Sequence, residues 1–235
     1  MSEPNEPLEI FGLKLAPMTD AEIREREVKE QLEELERKRE KLLSHYRSDA
    51  SGVPERYMNE SLDTYKPWNN EAGEALGKVR AFAHSNGGRT LILCGTNGTG
   101  KTHLGCGIIL ERGGMYIPIL RLVYEVDSTM SYKARETKIQ LLNRLCRCPM
   151  LVLDEIGRMK VREDVQKELA GYIIGERYAD GLPTVLISNL TKLDLLKWLG
   201  EAVVDRLRET GDCFEFKEKG YRLQKRENLY EGAEI

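Results

Sequence analysis

The residues Gly95-Thr96-Asn97-Gly98-Thr99-Gly100-Lys101-Thr102 carry the most specific chemical signal in the chain. Every fixed position of G-x-x-x-x-G-K-[ST] is filled, directly after the apolar run TLILC (90–94) and directly before a helix-compatible stretch. Glycines let such a backbone curl until successive N–H groups face one point. The following helix adds its positive N-terminal end, so the segment suits a polyphosphate. In this arrangement Lys101 reaches the β- and γ-phosphates and the Thr102 hydroxyl is a Mg²⁺ ligand. Further along, Met150-Leu151-Val152-Leu153 ends in Asp154-Glu155, four apolar residues and then two carboxylates. At the carboxyl end of a strand, Asp154 can hold the Mg²⁺ directly or through a water, and Glu155 can orient and deprotonate an attacking water. An ordinary solvated loop start is the alternative for such a pair, and the phosphate loop upstream argues against it. A third apolar run, 183–189, ends in Asn189. Alone, such an asparagine is more often a turn residue; if its strand lies between the other two, it faces the γ-phosphate and bonds the same water.

These groups need a rigid frame, and the chain after Tyr65 supplies one. Strand-like runs at 90–94, 115–120, 150–153 and 184–188 alternate with helical stretches near 101–112, 136–147, 163–178 and 192–209. That alternation predicts a parallel sheet with helices on both faces. Upstream, residues 1–20 contain Pro4, Pro7 and Pro17 with little periodicity and read as a flexible lead. From Asp20, which can cap a helix, to Arg47, the residues Val28, Leu32, Leu35, Leu42 and Tyr46 form one apolar seam, with Arg39 interrupting it. Charged residues such as Glu33, Glu34, Arg37 and Lys38 suit the opposite, solvated face. A seam this narrow either packs back on its own domain or docks against another protein's helices. The breaker-rich segment 48–54 sets it apart and favours docking.

Composition bounds the rest. A chain of 235 residues, 40% hydrophobic and 32% charged, can bury a core without disulfides or metals. No run approaches the roughly 18 apolar residues of a membrane helix, and the start lacks a secretory pattern, so a cytoplasmic location is expected. The five cysteines read as reduced thiols; Cys146 and Cys148 form a close pair without partners to complete a zinc site. The net charge of -3 is an average: residues 1–66 hold 16 acidic and 11 basic side chains, residues 67–235 hold 23 and 25. The acidity belongs to the N-terminal part, and the remainder is far from the strong basicity of a dedicated nucleic-acid binder.

Taken together, GTNGTGKTHL, LVLDEIG, the strand ending in SNL and LGEAVVDRLRE (199–209) resemble the AAA+ ATPases of the DnaC and IstB group, which are replicative helicase loaders and transposition helpers. The likeness covers about residues 53 to 225 and includes VPERYMNESLDTYKP (53–67), similar to the segment that leads into the family's first strand. It implies a P-loop NTPase (AAA+) three-layer sandwich with a central parallel sheet at 51–235, preceded by an N-terminal amphipathic docking helix within 1–50. The 27 residues after Arg208 are too few for a full helical lid. The cofactors implied are ATP and Mg²⁺, with Gly95 to Thr102 and His103 binding nucleotide. Asn189 matches sensor 1. Arg206, in Asp205-Arg206-Leu207, matches the arginine finger that completes a neighbour's site in trans. Arg222, in Gly220-Tyr221-Arg222, resembles sensor 2, although the residues before it, Lys217 to Gly220, depart from the family's pattern. On the plainer reading, Arg206 and Arg208 are exposed helix charges.

In this family single-stranded DNA threads a spiral assembly past loops that correspond here to 124–137 and 157–164. Tyr132 could stack on a base beside Lys133 and Arg135, and Arg158, Lys160 and Arg162 could meet phosphates; each could equally be a solvated loop residue. The implied function is an ATP-dependent loader of a replicative, DnaB-like helicase, acting as a homo-oligomer on single-stranded DNA. The alternatives are an IstB-type helper on duplex DNA with a transposase, or a non-hydrolysing nucleotide-gated adaptor. A small-molecule kinase would share the phosphate loop but gives no reason for Asp205-Arg206-Leu207 or for the N-terminal helix.

Overall fold

The computed structural model describes residues 8–10, 13–15, 20–46, 51–85, 87–221 and 223. It divides into two units, Met1–Leu42 and Leu43–Ile235. In the first, β1 (Leu8–Ile10) and β2 (Leu13–Leu15) pair antiparallel, Leu8 opposite Leu15. The lead expected to lack regular structure therefore contains a short hairpin. Leu-Glu-Ile and Leu-Lys-Leu do alternate with period two, but three residues are too few to stand out among prolines. Helix α1 (Asp20–Tyr46) makes Asp20 its first residue, carries the i,i+4 ion pairs Arg26–Glu30 and Glu34–Lys38, and leaves Val28 and Leu32 more than half exposed. The side chains of Leu35, Arg39, Leu42 and Tyr46 lie outside the described residues.

The second unit is built on five parallel strands: β3 (Thr90–Gly95), β4 (Met115–Pro118), β5 (Leu151–Ile156), β6 (Thr184–Ser188) and β7 (Gly211–Phe216). Their order is β4-β5-β6-β3-β7. Both faces of the sheet are covered, which is why its inner strands read as unbroken apolar runs. Leu91 and Leu93 point to a core completed by α2 (Asn70–His84) and α3 (Lys101–Arg112). Ile92 and Cys94 point to the other, formed by α4 (Ile119–Ser128), α5 (Lys138–Arg147), α6 (Glu163–Ala179), α7 (Lys192–Leu199) and α8 (Glu201–Thr210). The result is the three-layer sandwich, and each fully buried Leu or Ile contributes about 1.5–3 kcal/mol to holding it.

Departures from the expected elements have local causes. The run 115–120 stops as a strand at Pro118, which sits at the N-cap of α4 and turns Ile119 and Leu120 into helix. The helix expected at 192–209 breaks at Gly200, where φ is 81°, into α7 and α8. Thr137 and Gln140 form a capping box that starts α5. Strand β7 was hidden because Asp212 and Glu215 interrupt its apolar residues, leaving Phe214 and Phe216 to face the core from the sheet edge. All five cysteines are free thiols, with Cys146 and Cys148 buried in the core. Among the described residues no helix is long and apolar enough to cross a membrane.

Candidate nucleotide site

The strand order answers the condition placed on Asn189: β6 lies between β3 and β5, so the carboxyl ends of all three open on one cavity of about 520 Å³. Its wall includes the loop 97–102 from the end of β3, Glu155 from β5 and Asn189 just beyond β6. Ligand crevices of open α/β sheets lie at this end of the strands.

The loop is held in shape from outside. Thr96 N–H donates to the Phe216 carbonyl (2.8 Å) and Gly95 N–H to that of Leu190 (2.8 Å), fastening it to β7 and to the end of β6. Gly95 has φ 96°, and a Cβ there would sit 2.1 Å from the Phe216 oxygen, so no other residue fits. Gly100, with φ 83°, lies under the Tyr65 ring, whose hydroxyl donates to the Thr99 carbonyl (3.0 Å). Lys101 is buried, and its Nζ donates to the carbonyls of Gly95 (3.0 Å) and Thr96 (2.7 Å). Burial lowers its pKa to about 8, against the pull of Asp154. A polyphosphate would replace those carbonyls with full negative charge and favour the protonated amine.

Asp154 is only 2% exposed. Oδ2 accepts from the hydroxyls of Thr102 (2.8 Å) and Tyr116 (2.9 Å), and Oδ1 from the Glu155 N–H (2.6 Å). Burial raises its pKa, and these hydrogen bonds oppose the rise. Thr102, half-buried at the cavity wall, and the buried Asp154 thus meet as two hard oxygen donors of the kind that hold Mg²⁺, and the residues present fit that ion. The β5–β6 register shifts between Leu153 and Ile156, and Glu155 there adopts φ 60°, left-handed for a non-glycine. Its carboxylate faces the cavity and accepts from Arg158 Nη1. Tyr116 is a residue that sequence reasoning missed, since a tyrosine inside MYIPIL looks like core.

An adjoining cavity of about 310 Å³ was likewise missed. Tyr57, Tyr65, Trp68, His103 and Tyr221 line it, with Trp68 and Tyr221 ring centroids 5.6 Å apart and Tyr65 and His103 5.3 Å apart. Trp68 Nε1 is buried with no hydrogen-bond partner among the described residues. His103 bonds the Ser61 carbonyl (2.9 Å) and lies in this cavity rather than beside the phosphate loop's open face. The cavity suits a flat heteroaromatic ring, and its sequence signals were the likeness of residues 53–67, His103 after the phosphate loop and the late Gly220-Tyr221-Arg222 segment.

The remaining candidates, Arg158 apart, lie outside these two cavities or outside the described residues. Arg206 is half-buried on α8, its guanidinium against α6, where a Cβ on Gly175 would come within 2.7 Å of it; neither cavity includes it. Tyr132 is fully exposed, Lys133, Arg135 and Lys160 are exposed, and Arg162 is ion-paired to Asp127. Arg158 lies in the phosphate cavity. Arg222 falls outside the described residues.

Residues 23–229 match the family described as IstB-like ATP binding protein. The replicative helicase loader DnaC of Escherichia coli K12 is 30% identical over 182 residues, covering 74% of this chain and 73% of that protein. The DnaC of Buchnera aphidicola subsp. Baizongia pistaciae is 30% identical over 165 residues, 67% of each. A crystal structure of the DnaC helicase loader superposes with TM-score 0.59 at 29% identity, over 70% of this chain and 100% of that one. The crystal structure of DnaI, at 23% identity and TM-score 0.58 over 70% of this chain and 94% of that one, shares the fold. With a phosphate loop, a hydrogen-bonded Thr–Asp pair and a strand-end asparagine converging on one crevice, the chain belongs to the IstB-like ATP-binding family, as a DnaC/IstB-type AAA+ ATPase.

Proposed function

We propose that this chain hydrolyses ATP as the driver of a helicase loader, capturing a replicative helicase through α1 and placing it on single-stranded DNA through an oligomer of its ATPase domain. One observation carries the hydrolytic part: Lys101, Thr102 and Glu155 line one cavity with Asn189, and Asp154 is bonded to Thr102 at its base. The relatives named as helicase loaders, matched over 67% and 74% of the chain, support the cellular task.

In this reading the rings of Tyr65, Trp68 and Tyr221 receive the adenine, and the loop's N–H groups with Lys101 take the phosphates. Mg²⁺, when bound by Thr102 and Asp154, neutralises charge on the β- and γ-phosphates. Asn189 holds a water in line with the γ-phosphorus and Glu155 accepts its proton. The water oxygen bonds to phosphorus as the bond to the β,γ-bridging oxygen breaks, leaving ADP and inorganic phosphate. Arg206 is turned away from its own cavity and serves the neighbouring protomer. The exposed Val28 and Leu32 on α1 offer the apolar seam to the helicase.

The resemblance to IstB-type proteins leaves a second reading, a transposition helper acting on duplex DNA with a transposase. Three measurements decide. Glu155→Gln is expected to bind ATP but release phosphate at least about 100-fold more slowly than wild type; a wild type that turns over no ATP with DNA and partner present would make the chain a non-hydrolysing adaptor. Removing residues 1–50 is expected to abolish helicase capture and leave nucleotide binding intact. A long footprint on duplex DNA without helicase capture would establish the helper instead.

A further inference from the structure

Arg158 is left without a task by the function proposed above. Its charge groups it with Lys160 and Arg162 on the 157–164 loop, yet the chain reverses after Glu155 through an Arg158 N–H to Glu155 carbonyl bond (3.1 Å). That turn swings the guanidinium back into the phosphate cavity, where Nη1 donates to Glu155 Oε1. The rest of the loop is fastened elsewhere. Gln166 Nε2 donates to the Met159 carbonyl (3.1 Å) and to that of Val161, and Arg162 is ion-paired with Asp127 at the end of α4. Neighbouring cations of one short loop therefore face two ways, Arg158 toward the nucleotide and Lys160 and Arg162 toward the outer surface.

The pairing has a chemical cost for hydrolysis. A carboxylate oxygen that already accepts from a guanidinium is not open to a water. The backbone of Glu155 is already committed by its left-handed φ of 60°, so freeing the carboxylate requires a side-chain change rather than a shift of the strand.

We infer that Arg158 is a positioning residue that restrains Glu155 through this ion pair, and that phosphates of a single strand laid along the 157–162 loop release it by drawing the guanidinium outward. The inference rests on the hydrolytic reading above and adds to it a coupling between DNA and the general base. With Arg158 53% and Glu155 35% exposed, the pair is solvent-screened and contributes up to about 1 kcal/mol, so its removal is worth about two- to five-fold in rate.

The test uses the full-length protein as wild type, Arg158→Ala and Arg158→Lys. Steady-state phosphate release is measured with and without oligo(dT), and the affinity for a fluorescent ADP analogue by equilibrium titration. Arg158→Ala is expected to raise DNA-free kcat about two- to five-fold, to lose stimulation by DNA in the same proportion, and to leave the analogue's affinity within about two-fold of wild type. Arg158→Lys, which keeps a cation, is expected to behave as wild type. An active wild type alongside an Arg158→Ala protein whose DNA-free kcat is unchanged or lower overturns the restraint and leaves the hydrolytic reading standing. If the lower rate came with weakened binding of the analogue, Arg158 would be a ligand of the nucleotide's own phosphates. A wild type without turnover in either condition sinks the hydrolytic reading, and the restraint with it.

Discussion

Lys101 shows how a single side chain can be placed for a ligand at the expense of the empty fold. It is 5% exposed, bonded only to neutral groups, and burial has lowered its pKa to about 8. An unfolded lysine ionises near about 10.4. Between those values the unfolded chain binds a proton that the native chain does not, so this residue makes stability rise with pH across the window. Below it the folded protein carries the full penalty of a buried cation. Lys101→Met keeps the stem and removes the charge. Without nucleotide, the stability of this variant relative to wild type is expected to fall as pH goes from 7 to about 10, by on the order of 1–3 kcal/mol. Urea denaturation of both proteins at each pH measures the gap, in which shared titrations cancel; a gap independent of pH would assign the effect to packing alone.

At the scale of elements, the frame that presents the site is tied together by Arg177 of α6, a fully buried cation. Its guanidinium donates to the carbonyls of Leu145 (3.0 Å), Cys146 (3.0 Å), Cys148 (2.8 Å) and Pro183 (2.6 Å) and to Thr184 Oγ1 (2.9 Å). It thereby joins the end of α5 to the start of β6, and the negative end of α5 favours the charge there. Burial lowers its pKa, with Cys148 and Cys146 opposing. Arg177→Met fills similar volume but strands several carbonyls without donors, and is expected to cost about 3–5 kcal/mol, read as a lower urea midpoint at unchanged slope. This node lies far along the chain from the phosphate loop, yet it fixes where β6, the strand that leads to Asn189, begins. Nothing in GERYADG distinguishes Arg177 from a surface arginine, because its burial depends on carbonyls that α5 brings to it.

For the whole molecule, the decisive relation is between Arg206 and a cavity that its own chain does not bring to it. If it acts in trans, Lys101→Ala and Arg206→Ala proteins are each inactive for different reasons. Mixed in equal amounts, they are expected to regain ATPase activity, since about a quarter of randomly formed interfaces then pair an intact site with an intact finger. Failure to recover activity in a mixture shown to co-assemble would place Arg206 outside catalysis. The charge asymmetry belongs to this scale too. The acidic 1–66 segment contains the helix with exposed Val28 and Leu32, and the nearly balanced 67–235 segment makes up most of the ATPase unit.

Contiguous features were legible in the sequence: the phosphate loop between strand and helix, the Asp154-Glu155 pair closing an apolar strand, and the parallel α/β alternation. Each depends on covalent neighbours and on periodicity, which a linear chain displays directly. The position of β6 between β3 and β5, the bond from Tyr116 to Asp154, the ring-lined cavity of Tyr65, Trp68 and Tyr221, and the buried Arg177 were settled only by the tertiary structure. All join residues far apart in the chain, and neither spacing nor composition encodes which distant groups will meet. Arg158 shows the difference most sharply: its residue type suggested a DNA contact, and only the backbone turn reveals that its guanidinium also meets Glu155.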